Sequence, residues 1–239
     1  MPDLSFGSST LAAVETTLFW SAVTIGCYLL ARLVHRRMDA WWTTPLLLAP
    51  VAVGAIALSL NARYDSYAAS THWLVLMLGP ATVAFAIPIH AQRALIRRYW
   101  PVLLVGVVVG SAIAMGTAFL LAALLDLPQS LQLSLMPRST STPFAMTVSG
   151  DIGGIPDLTA VFVILTGISG AALGDLLMKV MPLRSAVSRG ALLGMGAHAA
   201  GVARAHRLGG QEGSIAGLVM VLAGLFNVLM APLVAGLLR

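Results

Sequence analysis

Residues 134–154 read SLMPRSTSTPFAMTVSGDIGG, and this stretch lies between long apolar runs. It contains Arg138, four consecutive hydroxyl residues at positions 139–142, and the two prolines Pro137 and Pro143. Because proline has no backbone N–H, a helix here must break and leave carbonyl groups without partners. Such groups are tolerated at membrane depth only inside protein or beside a watery cavity. We therefore expect a broken helix that forms an anion site in a membrane protein.

The composition as a whole indicates an integral membrane protein. Of the 239 residues, 58% are hydrophobic and 10% are charged, and the mean hydropathy is +0.90. Soluble domains are nearer ~45–50% apolar and ~25% charged. At ~20 residues per crossing, the length predicts an all-α polytopic protein of about seven or eight membrane segments, with broken or re-entrant helices. We expect a single transmembrane domain over residues 1–239.

The net charge of +5 comes from cations that cluster in short loops beside apolar runs, as at positions 32–37 and 93–98. This pattern is typical of cytoplasmic loops and predicts orientation in a membrane rather than nucleic-acid binding. The loop charges leave two topologies open for residues 131–150, which either cross the membrane or enter it and return. The cations between Lys179 and Arg189 favour the return, whereas Arg204 and Arg207 raise a similar conflict.

A weak internal similarity suggests two repeated halves, near residues 43–130 and 131–239. At a constant offset, Leu76, Leu78, Pro80 and Gly110 recur as Leu133, Leu135, Pro137 and Gly167. The pattern indicates either an inverted repeat or chance identity in an apolar chain. In a repeat, Gly79, Pro80 and Thr82 would form the half of the substrate cavity opposite Arg138. Without a repeat they form a simple kink.

Arg138 is the leading candidate for binding an anion. A planar guanidinium holds a carboxylate with two hydrogen bonds, and a helix that restarts near Pro143 would point N–H groups at the same place. The neighbouring hydroxyl donors are Ser139, Thr140, Ser141 and Thr142. The alternative is that Arg138 reaches the membrane interface and the hydroxyls cap a helix.

Four further polar residues are candidates either for function or for a structural role. His198 either relays a proton or contacts substrate, or it is a hydrogen-bonded packing residue. Thr159 either binds substrate or begins the next segment. Asp175 is expected to pair with Lys179 one turn on, and Asn227 to hydrogen-bond across helices for packing.

Enzyme signatures are missing from the sequence. It contains no HExxH, GxSxG or Walker motif and only one cysteine, Cys27. The histidines are scattered along the chain, which does not predict a metal site. We expect neither an enzyme nor a bound cofactor.

Three ordered motifs resemble those of the LrgB/CidB family: SLMPRSTSTPFAM at 134–146, IGGIPDLTAVFVILTGISGAALG at 152–174, and GMGAHAAGVARAHRLG at 194–209. The resemblance covers residues 70–238. Arg138 stands where the family pattern has lysine, which keeps the charge, and Val202 stands where it has threonine.

This resemblance implies a multi-pass inner-membrane protein with a small LrgA/CidA-like membrane partner. One function attached to the family is transport of small monocarboxylates such as glycolate, glycerate, pyruvate or lactate. The alternative is a holin-like modulator of murein hydrolase activity and autolysis. The family also resembles the bile acid/sodium symporter superfamily, in which crossing broken helices form the site. We expect the transporter, with substrate, coupling ion and homo-oligomeric assembly left open.

Overall fold

The computed structural model describes residues 5–38, 43–84 and 86–237, which form helices and no strands. The all-α prediction is therefore confirmed for these residues. The α-helices are α1 Ser5–Met38, α2 Pro45–Ser59, α3 Tyr64–Leu76, α4 Leu78–Ala84, α5 Ala86–Ala91, α6 Arg93–Leu124, α7 Gln129–Leu135, α8 Thr142–Ile152, α9 Pro156–Val180, α10 Ala186–Leu208 and α11 Gly210–Leu237. A short 3-10 helix, Met136–Ser139, lies between α7 and α8.

Four of the described helices are long and apolar enough to cross a membrane: Ala13–Met38 within α1, and the whole of α6, α9 and α11. The helix α2 is apolar but has only 15 residues, fewer than the ~20 that a crossing needs. The prediction of about seven or eight segments is not confirmed, because the other apolar stretches are short or interrupted. The inverted repeat and both topologies for residues 131–150 stay predictions.

The chain divides into two compact units, residues 1–80 and 81–239. In the first unit α1 packs against α2 and α3. The buried Trp20 ring meets the Tyr67 ring edge to face at 5.3 Å, and Trp73 Nε1 donates a hydrogen bond to Ser21 Oγ at 2.9 Å. These contacts join α1 to α3 through one aromatic cluster.

In the second unit, α10 lies between α9 and α11 at very close range. A methyl group on Gly170 of α9 would collide with the Gly196 carbonyl of α10. A methyl group on Gly194 of α10 would lie only 2.8 Å from the Ala216 Cα of α11. Small residues allow helix backbones to approach this closely in membranes, where packing rather than hydrophobic burial drives association.

The interrupted segment packs into the same unit through an apolar cluster. Met136 of the 3-10 helix and Val148 of α8 lie in this cluster with Met115 of α6 and Ala231 of α11. The 3-10 helix is thus held inside the protein, where its broken backbone is shielded from lipid.

The expected pairing of Asp175 with Lys179 is wrong. Arg204 Nε of α10 donates to both carboxylate oxygens of Asp175, at 2.8 and 3.0 Å, and Lys179 is exposed. The side chain of Asp175 faces the neighbouring helix, so a cation across the interface replaces the one on its own helix. A second ion pair joins Arg189 of α10 to Glu212 of α11 at 2.6 Å.

Candidate anion site at two interrupted helices

The first interruption separates α7 from α8. The 3-10 helix Met136–Ser139 follows α7, and Thr140 is then extended, with φ −113° and ψ 157°. Pro137 lies in the first turn of the 3-10 helix and Pro143 in the first turn of α8. Because proline fits the first turn of a helix but not its interior, the two prolines account for the break that the sequence predicts.

Arg138 lies in this break with its side chain half-buried. Its Nη1 donates a hydrogen bond to Ser139 Oγ at 3.2 Å. Within the described ranges, no carboxylate forms an ion pair with it. A half-buried guanidinium without a counter-charge is a favourable place for an anion, because a buried charge is costly unless it is paired.

The hydroxyl residues after Arg138 differ in their contacts. Thr140 is buried, and its Oγ1 accepts a hydrogen bond from Asn227 Nδ2 of α11 at 2.8 Å. Ser141 is also buried and occupies the N-cap position of α8, but its hydroxyl does not cap the helix. Thr142 is half-buried at the first residue of α8. Ser141 therefore has a donor to offer beside the arginine.

The second interruption lies within α10, at His198. This residue has φ 36° and ψ −119°, so α10 consists of two helices joined at a kink. Positive φ is uncommon outside glycine and needs surrounding contacts to hold it. The ring is buried against α9, where a methyl group on Gly167 would lie 2.7 Å from its Cε1. The sequence indicates His198 as a candidate site residue but gives no sign of a break there, since α10 contains no proline.

The two interruptions meet. The helix α10 contacts the 3-10 helix, and the His198 ring faces the Arg138 backbone. Its Nε2 has no hydrogen-bond partner within the described chain, so Nδ1 is the ring nitrogen available to that backbone. The structure thus brings together Arg138, the 139–142 hydroxyl segment and His198, which the sequence named separately.

Three other predicted site residues are not placed at this junction. Gly79 and Pro80 lie in α4, at the end of the first unit. Thr82 follows in the same helix, and its side chain lies outside the described residues. Their position opposite Arg138 stays a prediction.

The Thr159 hydroxyl is used inside the fold. Fully buried, it lies 2.7 Å from Ser149 Oγ and 3.0 Å from the Ser134 carbonyl. Ser134 Oγ in turn accepts from the Ile155 N–H at 2.8 Å. These three side chains, Ser134, Ser149 and Thr159, form a clamp that joins α7, α8 and α9. A substrate-binding role for Thr159 stays a prediction that would require this clamp to open.

Asn227 hydrogen-bonds to another segment, as the sequence predicts, and its partner lies at the candidate site. It is buried in α11 and reaches the extended residue Thr140 in the first interruption. The available signal was an amide in the apolar middle of a 28-residue helix, since polar groups inside membrane segments are costly and often functional.

A cavity of about 520 Å³ lies at the other end of α8, lined in part by Gln129, Ser130, Gly150 and Asp151. Its charged lining residue is acidic, which disfavours an anion. The junction at Arg138 therefore remains the better candidate for an anion. Among the described residues, no group of three or more His, Cys, Asp or Glu could hold a metal ion.

Comparison with protein families decides the affiliation of this chain. A model described as the LrgB-like family matches residues 24–237. The chain belongs to the LrgB-like family. The sequence resemblance is thereby confirmed, and with it an integral membrane protein.

Several relatives of this LrgB-like protein cover most of its length. It is 40% identical over 210 residues to the uncharacterized protein YwbG of Bacillus subtilis, covering 88% of this chain and 93% of that one. It is 34% identical over 190 residues to the antiholin-like protein LrgB of the same organism, covering 79% and 82%. The antiholin-like protein LrgB of Bacillus cereus is 30% identical over 225 residues, covering 93% and 97%. No solved structure matches the chain.

Proposed function

We propose that this LrgB-like protein is a carrier, not an enzyme, for small monocarboxylates such as glycolate, glycerate, pyruvate or lactate in the plasma membrane. The observation that supports the proposal is Arg138, half-buried at the junction of two interrupted helices and without a carboxylate partner in the described chain. A guanidinium is the side chain best suited to a two-point contact with a carboxylate.

In this proposal each part of the junction has a separate task. Arg138 pairs with the carboxylate of the substrate, and the Ser139 and Ser141 hydroxyls donate to its oxygens. The N-terminus of α8 adds favourable backbone dipoles at the same place. Interrupted helices suit a carrier because short segments can move relative to one another around a central site.

The expected affinity is modest. A hydrogen bond to a charged group contributes about 1.5–3 kcal/mol. Removing the Arg138 charge should therefore weaken binding by roughly ten- to a hundredfold.

The experiment is uptake of labelled glycolate, lactate and pyruvate into proteoliposomes containing the purified protein. Arg138→Gln removes the charge and keeps most of the side-chain length. Arg184→Gln is the matched control, because Arg184 is exposed and lies outside the junction. We expect saturable uptake in the unmodified protein and in the control, with weaker affinity in Arg138→Gln. Equal affinity in all three proteins would contradict the role of Arg138, and uptake by none of them would contradict the carrier.

The names of the relatives favour a second candidate function. Two of the relatives are antiholin-like proteins, and these names support an antiholin-like modulator of murein hydrolase activity more directly than they support a carrier. In this second proposal the protein acts with a small LrgA/CidA-like membrane partner.

The two candidates differ in what a deletion strain would show. The modulator predicts altered autolysis without any change in carboxylate flux, and restoration that requires the LrgA-like partner. The carrier predicts a loss of uptake that the gene for this chain restores by itself. Measuring autolysis and uptake in one strain separates them.

A further inference from the structure

Two buried polar atoms near Arg138 have no hydrogen-bond partner within the described chain. One is Oδ1 of Asn227, whose residue is 4% exposed, and the other is Nε2 of His198, whose residue is 3% exposed. Burying a polar atom without a partner costs free energy. Two such atoms around one junction indicate that something absent from the protein chain completes their hydrogen bonding.

Both atoms belong to the proposed site by their contacts. Asn227 Nδ2 donates to Thr140 Oγ1 at 2.8 Å, and Oδ1 shares a carbon with Nδ2, so the free oxygen lies within a few ångströms of the Thr140 hydroxyl. The His198 ring faces the Arg138 backbone, and the 3-10 helix that contains Arg138 contacts α10. The two atoms therefore approach the first interruption from α11 and from α10.

Both atoms are acceptors. An amide oxygen can only accept a hydrogen bond. In a neutral imidazole whose Nδ1–H is donated, Nε2 carries the lone pair and also accepts. Arg138, by contrast, only donates. The junction thus has a donating side suited to a carboxylate and an accepting side suited to a group that carries a proton.

We infer that Asn227, together with His198, forms the hydrogen-bond-accepting side of the anion site and selects 2-hydroxy acids over 2-keto acids. This inference rests on the proposed carrier function. A 2-hydroxy acid supplies one O–H donor next to its carboxylate. That single donor can pair with one of the two acceptors, Asn227 Oδ1 or His198 Nε2. A 2-keto acid supplies only acceptors there and would leave both atoms unpaired. Sites built to bond a substrate hydroxyl reject analogues that lack it strongly, because their own polar groups are then left buried and unpaired.

The test compares L-lactate with pyruvate, which have the same number of carbons and the same carboxylate. Affinities are measured by competition against labelled lactate in proteoliposomes. We expect the unmodified protein to prefer lactate by about tenfold or more. Asn227→Leu removes the acceptor at similar volume and should bring the two affinities within about threefold of each other. Arg138→Gln should weaken the binding of both acids by a similar factor and so preserve the ratio of their affinities.

The outcomes separate this inference from the proposed function. Transport of neither acid by the unmodified protein would contradict the carrier itself. Equal affinities in the unmodified protein would overturn the inference while the carrier stands, since ordered water would then satisfy the two acceptors. A preference for pyruvate would also overturn it, because the Asn227 amide would then present its NH₂ group. Should Asn227→Leu fail to fold, the ratio measured in the unmodified protein decides alone.

Discussion

The interruption at Arg138 and the interruption at His198 meet in one site but have different causes. At the first, Pro137 and Pro143 remove backbone donors, so the break follows from local covalent chemistry. At the second, no proline is present, and a residue with a side chain adopts a positive φ. A helix can therefore be broken either by its own prolines or by the residues that pack against it.

Close packing explains the second break. A methyl group on Gly201, three residues after the kink, would collide with the Leu193 carbonyl of the same helix. The ring of His198 fills the space that Gly167 leaves on α9. The kink therefore requires glycine at position 201 of α10 and at position 167 of α9. The second requirement arises from tertiary structure, because Gly167 belongs to a neighbouring helix.

The largest expected loss of stability comes from adding a methyl group at the second interruption. Gly201→Ala places a methyl group against the Leu193 carbonyl, which cannot move without shifting backbone, and should destabilise the protein by about 3 kcal/mol. Gly196→Ala is the matched control on the same helix, because nothing lies within 4 Å of a methyl group there. It should be neutral or stabilising by up to about 1 kcal/mol. Thermal unfolding in detergent measures both, and equal stabilities would refute the packing explanation.

A smaller loss of stability is expected when the clamp of Ser134, Ser149 and Thr159 loses a hydroxyl. Thr159→Val removes the hydroxyl shared with Ser149 and with the Ser134 carbonyl, and should cost about 2 kcal/mol because buried groups lose their partner. Thr147→Val is the control, since this exposed hydroxyl bonds only to the Pro143 carbonyl of its own helix.

The same pair of variants tests the sequence-based prediction that Thr159 binds substrate. If Thr159 serves only the clamp, its variant loses stability but keeps the lactate affinity of the control at a temperature where both are folded. If Thr159→Val lowered the lactate affinity without lowering stability, a substrate-binding role for Thr159 would be supported.

The smallest effect is expected for the ion pair beyond the second interruption. Asp175→Asn removes the pairing with Arg204, whose side chain is 36% exposed, and should cost at most about 1 kcal/mol. Lys179→Gln should leave stability unchanged, because Lys179 is exposed and does not pair with Asp175. If Lys179→Gln destabilised the protein more than Asp175→Asn, the pairing of Asp175 with Lys179 that the sequence spacing predicts would be supported instead.

Much of the candidate site could be predicted from individual residues. Arg138, Ser141 and His198 are polar residues between apolar runs, and polar residues at membrane depth must find partners or serve a function. The chemical type of each could therefore be assigned before its position was known. The accepting role proposed for Asn227 could not be predicted, since it depends on which amide atom contacts Thr140.

Residue order alone predicts an all-helical membrane protein, its family and a break around Arg138, because composition and proline act locally. Residue order does not show that α10 is also broken, that His198 brings that break to Arg138, or that Asp175 pairs across an interface. These features depend on how closely separate helices approach. That distance is set by glycines such as Gly170 and Gly194 facing particular neighbours, and such facing pairs are not visible in the order of residues along a chain.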